Sequence, residues 1–138
     1  MMNRKDFQQI TRIRVREAKV LLDNHYYSGA YYLLGYAIEC AFKAIIAKQI
    51  RQYDIPDRKF INDAYTHDLR KLLNLSNLKS DFDMRKRDPG FDLNWTIVDD
   101  WSVESRYLSN KSEAEAKDLY TAVTSRRNGI LTWLKQHW

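Results

Sequence analysis

Two phenols, a carboxylate and an ammonium share one narrow side of an otherwise apolar stretch, residues 29–48, GAYYLLGYAIECAFKAIIAK. On a helical wheel with Ser28 at zero, Glu39 falls at about 20°, Tyr32 at about 40°, Lys43 at about 60° and Tyr36 at about 80°. Glu39 and Lys43 are four residues apart with the carboxylate first, the favourable order for a helical ion pair. Charges inside a core need partners. Arg14, which interrupts the apolar side of the preceding segment, is a natural second partner for Glu39. The stripe therefore reads either as a buried ion-pair network that fixes helix register or as a polar pocket inside a bundle. Asp68 and Tyr107 are further polar candidates for the same group.

His67 is the one histidine followed by an acid, in Thr66-His67-Asp68-Leu69. At a helix start such a residue either caps and packs or serves as a proton acceptor. His25 in a turn and His137 near the last residue have weaker claims, and Arg106, Arg126 and Arg127 are the remaining basic candidates. Several chemistries drop out. No Cys/His cluster could hold zinc, no Gly-rich loop could cradle a phosphate, and no Gly-x-Ser-x-Gly elbow is present. Asp81-Phe82-Asp83 lacks the downstream ligands of a calcium loop. No metal or cofactor is expected. Cys40, the single cysteine, has no internal partner and sits in an apolar run, which points to a reducing, cytoplasmic setting. The opening MMNRKDFQQITRIRVRE lacks the apolar stretch of a secretory signal.

The charge balance adds a second theme. The net charge is +5, and residues 1–51 carry nine Lys/Arg against four Asp/Glu, whereas the rest of the chain is balanced. The surplus includes Lys5, Arg12, Arg16 and Lys19, which lie within about 60° of one another on a helix. Such a stripe suits an anionic partner such as RNA.

These residues need elements to position them. With 138 residues, 44% hydrophobic and 30% charged, the chain fits one soluble domain spanning 1–138. Four glycines and two prolines are too few for a sandwich or barrel. Apolar periodicity predicts about five helices in an antiparallel, up-and-down, all-α bundle. The first runs from about Lys5 to Asp23. The second, from about Gly29 to Arg51 with Ser28 as N-cap, is apolar all round; Glu39 and Lys43 make it a core helix rather than a membrane span. Asp54 to Tyr65 reads as a polar connection, and a short third helix follows with Thr66 as its N-cap. Residues 77–94 read as a long loop around Asp88-Pro89-Gly90. A fourth helix starts near Trp95, and a last one runs from Ser112 to the end of the chain. Trp95, Trp101, Trp133 and Trp138 exceed what a small core readily buries, which predicts an aromatic interface and a homodimer.

The order of parts also resembles a known family. A basic first helix leads into Tyr-x-Gly-Ala-Tyr-Tyr … Ala-x-Glu-Cys-x-x-Lys, here Tyr27 to Lys43. Thr-His-Asp-Leu-x-x-Leu-Leu follows from Thr66 to Leu73, then Trp-Ser-Val-Glu-Ser-Arg-Tyr from Trp101 to Tyr107 and a closing helical segment. This resembles the HEPN domains (higher eukaryotes and prokaryotes nucleotide-binding), and the match covers nearly the whole chain. The resemblance implies a helical bundle that commonly dimerises. It implies membership of a toxin–antitoxin, defence or regulatory system, and binding of RNA, of nucleotide, or of a nucleotidyltransferase or antitoxin partner. Many such domains are metal-independent ribonucleases that carry Arg four to six residues before His. None of His25, His67 or His137 has an arginine at that spacing. The expectation is a non-catalytic RNA- or nucleotide-binding member. The alternatives are a ribonuclease that assembles His67, Arg106 and Arg126 or Arg127 at a dimer interface, or a structural dimerisation module.

Overall fold

Asn3 accepts a hydrogen bond from the Asp6 backbone N–H, and the Asp6 carboxylate accepts one from the Asn3 N–H. This reciprocal cap starts α1, Arg4–Asp23. The structure, a computed structural model, describes residues 2–50 and 55–138. Among these residues the chain is an all-α bundle without strands. After α1 come α2 (Tyr27–Gln49), α3 (Arg58–Ala64), α4 (Leu69–Leu75), α5 (Lys79–Arg85) and α6 (Pro89–Asp99). A short 3₁₀ helix, Val103–Tyr107, leads to α7 (Glu113–Thr124) and α8 (Ile130–Lys135).

α2 is the axis of the fold. It packs along the length of α1 and also touches α4, α7, α8 and the 3₁₀ helix. Burial on every side explains its all-round apolar character. Leu34, Ile38, Ala41, Phe42 and Ile45 form its share of the core. It is long and apolar enough to cross a membrane by length and composition, and 72% of its most apolar window is buried in the bundle. α1 and α2 meet as a helical hairpin through His25, whose φ of 69° turns the chain in the left-handed region. At the far side Phe82, Phe91, Trp95 and Trp133 meet edge-on and tilted. Trp101 lies against α2 at Gly35, where a Cβ would fall inside the indole.

Several boundaries differ from expectation. Residues 77–94 are not a loop: they form α5 and the first turns of α6. Asp88 accepts from the Gly90 N–H and Pro89 takes the first helical position, so the Asp-Pro-Gly turn signal is a helix start. The polar connection before Tyr65 contains α3, capped by Asp57. Ser28 lies inside α2, and its hydroxyl accepts from the Lys111 N–H instead of capping. Asp68, not Thr66, caps α4 through the Arg70 and Lys71 N–H groups. The closing helix breaks at Ser125–Gly129 into α7 and α8, where the Thr132 hydroxyl donates to the Ser125 carbonyl. The expected end of the second helix at Arg51, and the start of the next connection at Asp54, lie outside the described residues. Trp95, Trp101 and Trp133 are all buried within the one chain, so the expected surplus of surface indoles is absent.

Candidate functional site

The polar stripe of α2 stays together. Tyr32 and Tyr36 stack with ring planes 3° apart, and Tyr32 also stacks on Trp101. One turn further on, Glu39 is 1% exposed. Its Oε2 accepts from Lys43 Nζ at 3.1 Å, and both its oxygens lie 3.0 Å from His67 Nδ1. The lysine is mostly buried; the imidazole is about half exposed. Thr66 and Asp68 fix the backbone on either side of His67. The Thr66 hydroxyl accepts from the Asp68 N–H, and the Asp68 carboxylate caps α4. A carboxylate can bind Nδ1 only when that nitrogen carries the proton, so in the neutral ring Nε2 is the acceptor.

This group borders a cleft of about 300 Å³ between α1, α2 and α3. Phe7, Ile46, Ala47, Phe60 and Ala64 make its apolar walls, and Tyr36, Glu39, Lys43 and His67 make its polar end. Burial pushes the Tyr36 phenol up to about 12 and the Cys40 thiol up to about 11. Neither group is an activated nucleophile.

His67 also borders a second cleft, at the start of α4 and of the 3₁₀ helix. Asp68, Arg70, Asp99, Trp101 and Glu104 line it as well. Arg70 Nε donates to Asp99 Oδ1 at 2.7 Å, and a second N–H of the same guanidinium reaches Oδ2. That bidentate pair occupies the cation and raises its pKa through the hydrogen bonds to Asp99. With Asp68 and Glu104 beside it, the cleft carries more carboxylates than cations.

The basic stripe of α1 is exposed along Lys5, Arg12, Arg16 and Lys19. Lys19 is tied to Asp23 at 2.6 Å. Arg12 and Arg16 face a groove of about 280 Å³ against α7 and α8, completed by Lys135, Thr124 and Thr132. Among the described residues no carboxylate lines it. The Arg12 guanidinium sits 5.0 Å from the centre of the Trp138 ring, and Lys135 Nζ sits at 6.0 Å.

Arg14 does not reach Glu39. Glu17, one turn along its own helix, holds it in an ion pair, and His67 takes the place expected of Arg14. Arg106 covers the Tyr107 ring at 4.8 Å on the exposed 3₁₀ helix. Arg126 and Arg127 lie exposed in the turn between α7 and α8. None of these three makes a hydrogen bond or ion pair with His67 among the described residues. The wheel brought Glu39 and Lys43 together but not His67, 28 positions away; the signal was present only as a buried acid needing a second partner. Lys135, which completes the basic groove, and Trp138, whose ring lies under Arg12, were missed. No known protein family, curated protein or solved structure matches this chain.

Proposed function

We propose that this chain is a non-catalytic HEPN-type helical module that binds RNA, or a nucleotide as the smallest ligand of that chemistry, through phosphate contacts. The observation that supports it most is the groove where Arg12, Arg16 and Lys135 meet without a carboxylate. Cations of this kind hold phosphates with modest, sequence-tolerant affinity that falls steeply with salt. The Trp138 ring lies under Arg12 and Lys135 and holds the two cations near each other. A cytoplasmic setting rests on the single cysteine, Cys40; a prokaryotic toxin–antitoxin, defence or regulatory role, a homodimer, and a nucleotidyltransferase or antitoxin partner rest on the resemblance. Light scattering after size exclusion at micromolar concentration checks the dimer. A monomer mass across a dilution series would remove it.

The second reading is a metal-independent ribonuclease, and one observation favours it. Glu39 orients His67 through Nδ1, which in the neutral ring leaves Nε2 as an acceptor, the arrangement of a carboxylate-held general base. Against it stands the cleft beside His67, where Arg70 is bound to Asp99 and Asp68 and Glu104 oppose an incoming phosphate. Labelled mixed RNA incubated in EDTA separates the readings, with binding titrated in parallel at two salt concentrations. Salt-sensitive binding without cleavage is expected. Cleavage lost on His67→Ala would overturn the non-catalytic reading, and no binding at low salt would overturn both.

A further inference from the structure

The apolar cleft between α1, α2 and α3 takes no part in phosphate binding. Phe7 in its wall and Arg16 in the basic groove are nine residues apart, which places them about 180° apart around α1. The cleft is a separate site with its own chemistry.

We infer that it binds a small, uncharged, flat heteroaromatic molecule carrying an N–H beside a C=O, a cyclic amide of one or two rings. Size is the first reason. The volume of about 300 Å³ lies at the small end of ligand pockets, room for a one- or two-ring molecule. The walls are the second. Phe7 and Phe60 present rings and Ile46, Ala47 and Ala64 present aliphatic surface, which suit a flat aromatic body.

Charge and hydrogen bonding narrow the class. Glu39 and Lys43 cancel each other, so a charged ligand would bring an unpaired ion into an apolar site, the costly case. The Lys43 ammonium has three N–H bonds, and one serves Glu39. The Glu39 carboxylate has lone pairs beyond those that take Lys43 and His67. The polar end therefore offers a donor and an acceptor 3.1 Å apart. A ligand C=O accepts from Lys43 Nζ while the adjacent ligand N–H donates to the carboxylate, and both partners of the cis amide edge are satisfied at once.

Three two-ring probes of similar size and different charge test this: quinolin-2(1H)-one, 2-naphthoate and 2-naphthylmethylammonium. Each is titrated into ¹⁵N-labelled protein and followed by amide chemical shifts. The quinolinone should saturate shifts at Ala47, Ala64 and His67 and bind at least tenfold more tightly than either ion. Ala47→Phe, which fills the cleft from a partly exposed position, should weaken the quinolinone at least tenfold while the rest of the spectrum is retained. The inference is overturned if wild type shows no saturable shifts, if either ion binds as tightly, or if Ala47→Phe keeps full affinity.

Discussion

His67 Nδ1 lies 3.0 Å from both carboxylate oxygens of Glu39, a residue 28 positions earlier in the chain. The bond fastens the approach to α4 onto the middle of α2. It also makes Glu39 the common acceptor of a nearly buried ammonium and a half-exposed imidazole. The two partners depend on it unequally, because the imidazole has far more of its surface in water than the ammonium has.

Removing the acceptor should therefore cost more than removing the exposed donor. Glu39→Ala leaves the mostly buried Lys43 facing only the cleft and should destabilise the fold by about 1–3 kcal/mol. His67→Ala leaves the Glu39–Lys43 pair intact and should cost on the order of 1 kcal/mol. Urea denaturation of both variants measures the difference. A Glu39→Ala loss no larger than that of His67→Ala would show that the carboxylate is not the partner that keeps Lys43 buried.

Gly35 should not tolerate a side chain. Alanine ordinarily gains up to about 1 kcal/mol over glycine inside a helix. Here its methyl would enter the Trp101 indole, which is itself held between α2 and the Tyr32 ring. Overpacking of this kind costs about 1–3 kcal/mol, and an indole with so little room to move belongs at the upper end. Gly35→Ala should lower stability by a net of about 2 kcal/mol and shift tryptophan fluorescence to the red. A more stable variant with an unchanged spectrum would contradict the packing.

The long helices were legible because their pattern is carried by many residues at once. α1 and α2 follow from apolar spacing that no single polar insertion can hide; Trp95 and Val98 are buried on α6, whereas Trp101, also buried, lies beyond its end. Residues 77–94 misled because charge was read before spacing. Leu78 and Phe82, then Phe91, Trp95 and Val98, already stand at helical intervals, and Asp88-Pro89 fits a helix start as well as a turn. The break between α7 and α8 has no proline to announce it. It depends on Gly129, which sits where a Cβ would strike the Ser125 backbone. Within the site, contacts one turn apart could be read from the wheel. Arg14 was misplaced because Glu17 competes locally for it, and His67 reaches Glu39 only once α3 and the start of α4 fold over α2.

Alkaline pH should deprotonate the half-buried Tyr36 and the buried Cys40. Burial raises the thiol from 9.0 to about 11 and the phenol from 10.0 to about 12. Both groups then hold their protons more tightly folded than unfolded, so their contribution is complete below pH 9 and is lost as pH rises through 11 and 12. Melting temperatures should decline across that window, and Cys40→Ala should remove the first part of the decline. Cys40 in the native protein should also resist thiol reagents at pH 8. Rapid labelling there would show that the thiol is neither buried nor shifted.

The basic groove makes the most direct quantitative claim. If Arg12, Arg16 and Lys135 each meet a phosphate, every one removed should weaken RNA binding regardless of sequence. Each should also reduce the slope of log affinity against log salt by about 0.7 for single strands. Lys19, held by Asp23, should matter less than Arg16, although the two lie on the same stripe of α1. Lys5 provides a further comparison, because it belongs to the stripe but does not line the groove. Fluorescence anisotropy with an unstructured RNA at four salt concentrations, for the five single alanine variants, measures both affinity and slope. Equal effects at all five positions would mean that total charge governs binding and that the groove has no special part. Losses confined to Arg12, Arg16 and Lys135 would locate the phosphates between α1 and α8, because those side chains share the groove while Lys5 and Lys19 carry the same charge outside it.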